Sequence, residues 1–241
     1  MIVLALDTTT RAGSVALMSG NTLLGWLSGD PERTHGERLP AEVLRLLAAH
    51  ETSLRDVEVF AVCAGPGSFT GLRIGLATVQ GFALATGRPV MTVPTLEALA
   101  YAGLECQPPG VSRPAWVVPW MDAHRGEVFG AVYRVGQDGV VTECYPPVVG
   151  SSAALLEEWV PLLEESEVLF VGNAVERSRV GINDSLGAEI RLDSSMPPLA
   201  PTVAALAQAK ANDNDNVLLP HAIRPVYVRR PDAELARDRR R

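Results

Sequence analysis

Two short stretches of this chain carry residue types that chemistry can use. The first, Asp7-Thr8-Thr9-Thr10, sets a carboxylate before three hydroxyls. At the end of a strand, such a turn can present hydroxyls and backbone N–H groups to a phosphate while the carboxylate holds a hydrated metal ion. It lacks the glycine that usually lets a phosphate come close to backbone. A polar turn stabilised by its own Asp and Thr side chains is therefore an equal reading. The second stretch, Gly65-Pro66-Gly67-Ser68-Phe69-Thr70-Gly71, follows an apolar run and opens a helix. Gly65, Gly67 and Ser68 stand where N–H groups at a helix start attract an anion. The stretch is no P-loop, because the single lysine of the chain is Lys210, and no dinucleotide fingerprint, because Thr70 stands where the third glycine belongs.

Other chemistries find little support. His35, His50, His124 and His221 have no spacing that pairs them with one another or with a cysteine, so no metal site is expected. Ser68 lies in neither G-x-S-x-G nor S-x-x-K, and serves better as a helix cap than as a nucleophile. Cys63 sits inside an apolar strand pattern that buries it, which makes a thiol inert. With Cys106 and Cys144 it gives three widely spaced cysteines, no disulfide framework, and an expected reducing cytoplasm.

The elements that must position these residues follow from periodicity. IVLALD (2–7), SVALM (14–18) and LLGWL (23–27) are three apolar runs at hairpin spacing. Thr34 and Glu37 form a capping box ahead of a helix whose Leu39, Val43, Leu46 and Leu47 recur at helical spacing. Pro40 lies too deep for its first turn and predicts a kink or a late start. A second box, Ser53 to Asp56, precedes a strand over 57–65. The glycine-rich loop and its helix follow, closed by Gly87, and then a strand over 90–93 and a helix over 95–104. QPPGVSRP (107–114) breaks the pattern. Beyond it come strands over 115–122, 127–135 and 140–145, a helix over 152–165, a strand over 168–173 and a helix over 200–213. Residues 174–198 read as an irregular loop. The expected plan is α/β: two tandem β-β-β-α-β-α units, the second abbreviated, divided as 1–107, 115–214 and a C-terminal segment with basic tail, 215–241. This plan resembles the actin-like, ribonuclease-H-like superfamily.

Net charge is −7, with 47% hydrophobic and 20% charged residues, which describes a globular chain and not a disordered one. The last thirteen residues carry six arginines against three acids, so the body is the more acidic for it. That balance speaks against a broad grip on nucleic acid, while the tail is either a solvated end or a local contact for RNA. No run approaches the roughly 18 apolar residues of a membrane span.

Three glycines lie inside the helix that follows the loop: Gly71, Gly75 and Gly81. Each costs roughly 1 kcal/mol of helix stability relative to alanine. Gly71, Gly75 and Thr78 share one face, which lets another backbone approach closely. Packing within the chain and packing across a protein interface both satisfy that pattern.

"GPGSFTGLRIG" (65–75) and "LALDTTTRAGSVAL" (4–17), with "MDAHRGEVFGAVY" (121–133) and "PVYVR" (225–229), resemble the TsaB (YeaZ) family in order and across nearly the whole chain. The resemblance implies an actin-like fold and a non-catalytic role in making threonylcarbamoyladenosine at position 37 of tRNAs that read ANN codons. It implies a heterodimer with a TsaD-type paralogue that performs the transfer, a TsaE-type ATPase as third member, a homodimer when alone, and no cofactor of its own. Contact with tRNA would be indirect or weak. The partner interface would lie on the N-terminal helices, at Gly71, Arg73, Gly75 and Thr78 with His35 and Leu39 beside them. TsaD enzymes hold metal through H-x-E-G-H at a helix start. Here the corresponding segment is VPTLEALAYA, so Thr95 and Leu99 occupy the histidine positions, Thr95 as a good N-cap. Neither suits a metal. A rival reading from another class is a self-sufficient phosphotransferase using Asp7 and Thr8–Thr10. It needs a second Asp-x-Gly-Gly loop, and neither MDAHRGE (121–127) nor VGNAVE (171–176) has the paired glycines.

Overall fold

The computed structural model describes residues 1–163, 166–186, 189–211 and 218–229. The first half runs β1 (Ile2–Asp7), β2 (Ser14–Ser19), β3 (Thr22–Ser28), α1 (His35–Ala49), β4 (Val59–Gly65), α2 (Phe69–Thr86), β5 (Val90–Pro94) and α3 (Thr95–Glu105). The second runs β6 (Trp116–Asp122), β7 (Glu127–Val135), β8 (Val141–Ser151), α4 (Ser152–Leu163), β9 (Val168–Val171), α5 (Val175–Ser185), β10 (Ile190–Asp193) and α6 (Ala200–Lys210). Each half builds one five-stranded sheet, β3-β2-β1-β4-β5 and β8-β7-β6-β9-β10. In both, the first three strands are antiparallel neighbours and the last two join in parallel, Val3 opposite Val59 and Trp116 opposite Val168. The two sheets therefore share one topology, the paired actin-like units that the pattern implies.

The second unit is abbreviated in length and not in element number. Its helices α4 and α5 have 12 and 11 residues against 15 and 18 in α1 and α2. The segment expected as an irregular loop, 174–198, holds α5 and β10. Helix α5 offers only Val175, Ser178 and Ile182 to the core, and β10 is half-buried throughout, so neither makes a sharp apolar period.

Three apolar clusters fill the molecule. One lies under α1 and α2 against the outer face of the first sheet and includes Leu39, Val43, Leu76 and Val79. A matching cluster lies under α4 and α5 around Trp120, Trp159 and Phe170. The third lies between the sheets and takes in α3 and α6. There the third helices are exchanged. α6 packs on β1, β2 and β4 of the first sheet, and α3 packs on β6 of the second as well as on β4. An ion pair from Lys210 to Glu97, at 2.6 Å, joins the two helices.

Helix α1 starts directly after Thr34, whose N–H and hydroxyl donate to the Glu37 carboxylate at 2.9 and 2.7 Å. It continues through Pro40 to Ala49, so the late start expected from that proline does not occur. Among the described residues, no helix is long and apolar enough to cross a membrane. Of the basic tail only Arg229 lies within the described residues; the RNA reading of 230–241 falls outside them.

Candidate functional site

The two stretches singled out by residue type meet in space. The turn after β1 lies against the loop after β4 and the first turns of α2. Thr8 Oγ1 donates to Gly71 O at 2.8 Å, and Ser68 N–H donates to Thr9 O at 2.9 Å. A Cβ on Gly71 would stand 2.0 Å from Thr8 O, one on Gly75 2.2 Å from Thr8 Oγ1, and one on Gly67 2.6 Å from Thr9 Cβ. Close approach of backbones is the reason for these glycines, and what approaches is the chain's own turn. Gly71 and Gly75, expected at a partner interface, are buried in their own subunit. Gly81 differs: nothing lies within 4 Å of its missing Cβ.

The expected anion loop is already satisfied by protein. Gly65 N–H donates to Thr95 Oγ1 at 3.2 Å, Ser68 N–H is taken by Thr9, and Gly71 N–H donates to Ser68 Oγ at 3.2 Å. Ser68 is thus the helix cap that its type suggests. Thr95 is not an N-cap: Pro94 holds that position, and the Thr95 hydroxyl faces back to the Gly65 loop. Asp7, Thr8 and Thr9 are all buried. The Asp7 carboxylate accepts from Thr9 N–H at 2.9 Å and Thr9 Oγ1 at 2.6 Å. Burial raises its pKa above the ordinary carboxylate value against the pull of those two donors. Cys63 beside it is held as a thiol, its pKa raised well above normal by burial and by the Asp7 charge. Thr8 and Thr9 pack against the first turns of α2, and the Gly65, Ser68 and Gly71 N–H groups are engaged within the chain.

The second unit repeats the arrangement in open form. Asp122 ends β6 as Asp7 ends β1. Its carboxylate accepts from Arg177 at 2.6 Å and from His124 N–H at 2.9 Å. Gly65 ends the fourth strand of the first unit and Gly172 directly follows that of the second, with φ of +119° and +130°, conformations that glycine alone adopts readily.

Helix α1 contributes a polar lock that the sequence did not announce. Arg38, 3% exposed, pairs with Glu42 at 2.7 Å and donates through Nη2 to Arg11 O at 3.0 Å and also to Ala12 O. The same Nη2 lies 2.9 Å from His35 Nδ1. A guanidinium only donates, so Nδ1 accepts and the His35 proton sits on Nε2, from which it donates to Thr10 O at 2.8 Å. His35 and Leu39, expected at a partner interface, are buried: His35 holds the turn over 10–13 from beneath, and Leu39 packs in the apolar cluster under α1. The signal for the lock was Arg38 and Glu42 on the same helix face as Leu39 and Val43, four residues apart.

Burial, with the Arg38 charge behind it, lowers the His35 pKa below the ordinary value. The unfolded chain takes up this proton below about pH 6.5 while the folded chain resists it. The stability that depends on neutral His35 is therefore complete above pH 6.5 and is lost as pH falls toward the depressed value. Denaturation measured from pH 7.5 to 5 is expected to show this loss, at no more than about 1.4 kcal/mol per pH unit for one proton. His35→Gln should flatten it; an unchanged slope in that variant would place the titrating group elsewhere.

Leu99, at the second of the two positions where TsaD enzymes carry histidine, is fully buried in the cluster between the sheets, as is Thr95. Among the described residues, no three His, Cys, Asp or Glu side chains gather as a metal-holding group.

The comparisons agree with this geometry. The family model described as tRNA N6-adenosine threonylcarbamoyltransferase matches residues 30–236. The protein called tRNA threonylcarbamoyladenosine biosynthesis protein TsaB in Escherichia coli is 38% identical over 140 residues, covering 58% of each chain. Its namesake in Bacillus subtilis is 27% identical over 97% of this chain and 96% of its own. The solved structure of YeaZ from Pseudomonas aeruginosa superposes with a TM-score of 0.76 at 28% identity, over 94% of this chain and all of that one. By its sequence, its paired sheets and its residue pattern, the chain belongs to the tRNA N6-adenosine threonylcarbamoyltransferase family, on its TsaB (YeaZ) branch.

Proposed function

We propose that this chain is a non-catalytic scaffold that activates a TsaD-type transferase in making threonylcarbamoyladenosine at position 37 of tRNAs reading ANN codons. The observation that carries the reading is the filling of the catalytic positions with core. Thr95 and Leu99 are fully buried where the enzymes keep metal-binding histidines, and without such a metal nothing polarises the threonylcarbamoyl carbonyl. The two strand-end carboxylates add support, since Asp7 is closed in by Thr9 and Asp122 is engaged by Arg177.

The partner docks on the outer face of α1 and α2, a third of a turn from the strip that spacing alone suggested. Arg73, Ala77 and Gly81 are exposed on α2, with Thr78 half-buried beside them. On α1, Gly36, Pro40 and Leu44 form an exposed stripe, with Leu44 56% exposed. Gly36 lies beside the Ile74 side chain, which brings the two stripes together. Gly81 pays the helix penalty of glycine with no contact inside the chain to explain it, and a neighbouring helix supplies one. Gly71, Gly75, His35 and Leu39 support the face from below. The scaffold comprises halves 1–107 and 115–214 with an extension over 215–241. It works in the cytoplasm, pairs with itself when alone, meets a TsaE-type ATPase in the full assembly and reaches tRNA through its partner.

Purified chain is expected to transfer no threonylcarbamoyl group unaided and to restore transfer when added to TsaD- and TsaE-type proteins. Transfer by the chain alone would overturn the reading, and calorimetric binding of ATP with Mg²⁺ would favour the phosphotransferase instead. Gly81→Leu separates docking from folding. It should hold or raise the melting temperature, by up to about 1 kcal/mol of helix propensity, while weakening association with the transferase at least tenfold.

A further inference from the structure

Among the described residues, 218–229 hold a 3₁₀ turn at Pro220–Ala222 and one bridge between Leu218 and Val90. This segment is first pinned to the first unit. Ile223 is buried in the outer core, and Gln80 Nε2 donates to Pro220 O at 3.0 Å. It then crosses the molecule. Val226 N–H donates to Ala64 O at 2.7 Å. The Tyr227 ring lies 5.0 Å from that of Phe69, and its hydroxyl accepts from Arg73 Nε at 3.1 Å. Two residues on, Arg229 donates to Ala123 O at 2.6 Å and its guanidinium pairs with Glu127, both in the β6–β7 turn of the second unit. Gly65 is shaped to this crossing, since a Cβ there would stand 2.5 Å from Val226 O.

The grip combines a few hydrogen bonds, the Phe69–Tyr227 ring contact and the partly buried Val228, which packs at the border of the core between the sheets. Val226 is 46% exposed and Tyr227 38%. Exposed hydrogen bonds of this kind open at a small fraction of the global unfolding free energy. The core between the sheets is filled chiefly by the sheets themselves with α3 and α6, which join the units through apolar contact, and Val228 is the clasp's one side chain packed against it. A link this short, with Val226 and Tyr227 largely exposed, is suited to opening.

We propose that residues 225–229 form a releasable clasp between the loop over 65–68 and the turn over 123–127. Closed, it ties the end of β4, at Ala64, to the turn after β6, at Ala123, and to Glu127 at the start of β7. Released, it lets those two segments part while both sheets and their shared core stay folded.

Amide hydrogen exchange on the full-length chain tests this. The protected amides are defined: Val226 by Ala64 O, Ala123 by Glu127 O, and Glu127 by His124 O. In Tyr227→Ala/Arg229→Ala, exchange at Val226 and across 123–127 is expected to rise at least tenfold, with β1 and β6 unchanged. Rates within twofold of wild type at those amides overturn the proposal. So does an equal rise in β1 and β6, which would make the segment an integral part of the core. Should the double variant not fold, Tyr227→Phe deletes only the hydroxyl acceptor and is expected to speed Val226 alone, by a smaller factor. No change at Val226 in that variant counts against the clasp.

Discussion

Gly71→Leu is expected to lower the melting temperature by roughly 6–12 °C. The reason is the 2.0 Å that separates its missing Cβ from the carbonyl oxygen of Thr8. That oxygen belongs to main chain pinned between β1 and β2, so no side chain can swing aside. Overpacking a core costs about 1–3 kcal/mol when side chains can adjust, and the upper end or beyond applies against fixed backbone. At roughly 2–4 °C per kcal/mol for a chain of this size, the shift follows. Differential scanning calorimetry of Gly71→Leu beside Gly81→Leu makes the comparison internal. The first meets Thr8, the second meets nothing within 4 Å. Equal melting temperatures would show that the inner glycine strip is not filled by the turn, and would return it to the role of an external docking face.

The second large effect is expected from Arg38→Ala. This removes the partner of Glu42 and the donor of four further acceptors in one step: the carbonyls of Arg11, Ala12 and Arg33 and the ring of His35. Breaking a buried pair from one side typically costs about 3–5 kcal/mol, because the remaining charge stays without compensation. Arg38→Met/Glu42→Leu replaces both charges by apolar groups and should recover much of that loss. Urea denaturation of the two singles and the double gives the coupling directly. A loss below about 1 kcal/mol in Arg38→Ala would mean that water reaches Glu42 freely and that the lock is a surface feature.

The clearest apolar patterns in the sequence became elements almost residue for residue. IVLALD and EVFGAVYRV are β1 and β7 with the limits expected. Their alternation is backed by burial on both faces of a central strand. Where burial is partial the pattern fades, which is why α5 and β10 were not visible. The helix VERSRVGINDS exposes most of its length, carries Gly181 within it and ends in Asn-Asp-Ser. In α2 the spacing correctly located a smooth face at Gly71 and Gly75. Spacing cannot say what fills such a face, because the filler, Thr8, lies 63 residues away along the chain. The polar lock at His35, Arg38 and Glu42 was hidden for a similar reason. Charged residues on a helix are usually solvated, and only the turn over 10–13 folding back on them makes them core. The clasp has no periodicity at all, so only the folded chain reveals it.

The exchange of α3 and α6 has a consequence for how the protein is made. The inner face of the first sheet is covered largely by residues 200–210, which follow the whole second sheet in the chain. While the ribosome is still adding the second half, β1 and β2 lack the helix that covers that face, although α1 and α2 are already available for the other side. Domains of most multi-unit chains complete themselves in order as they emerge. Here the N-terminal half must wait for α6, so one face of its central strands stays uncovered throughout the synthesis of the second sheet.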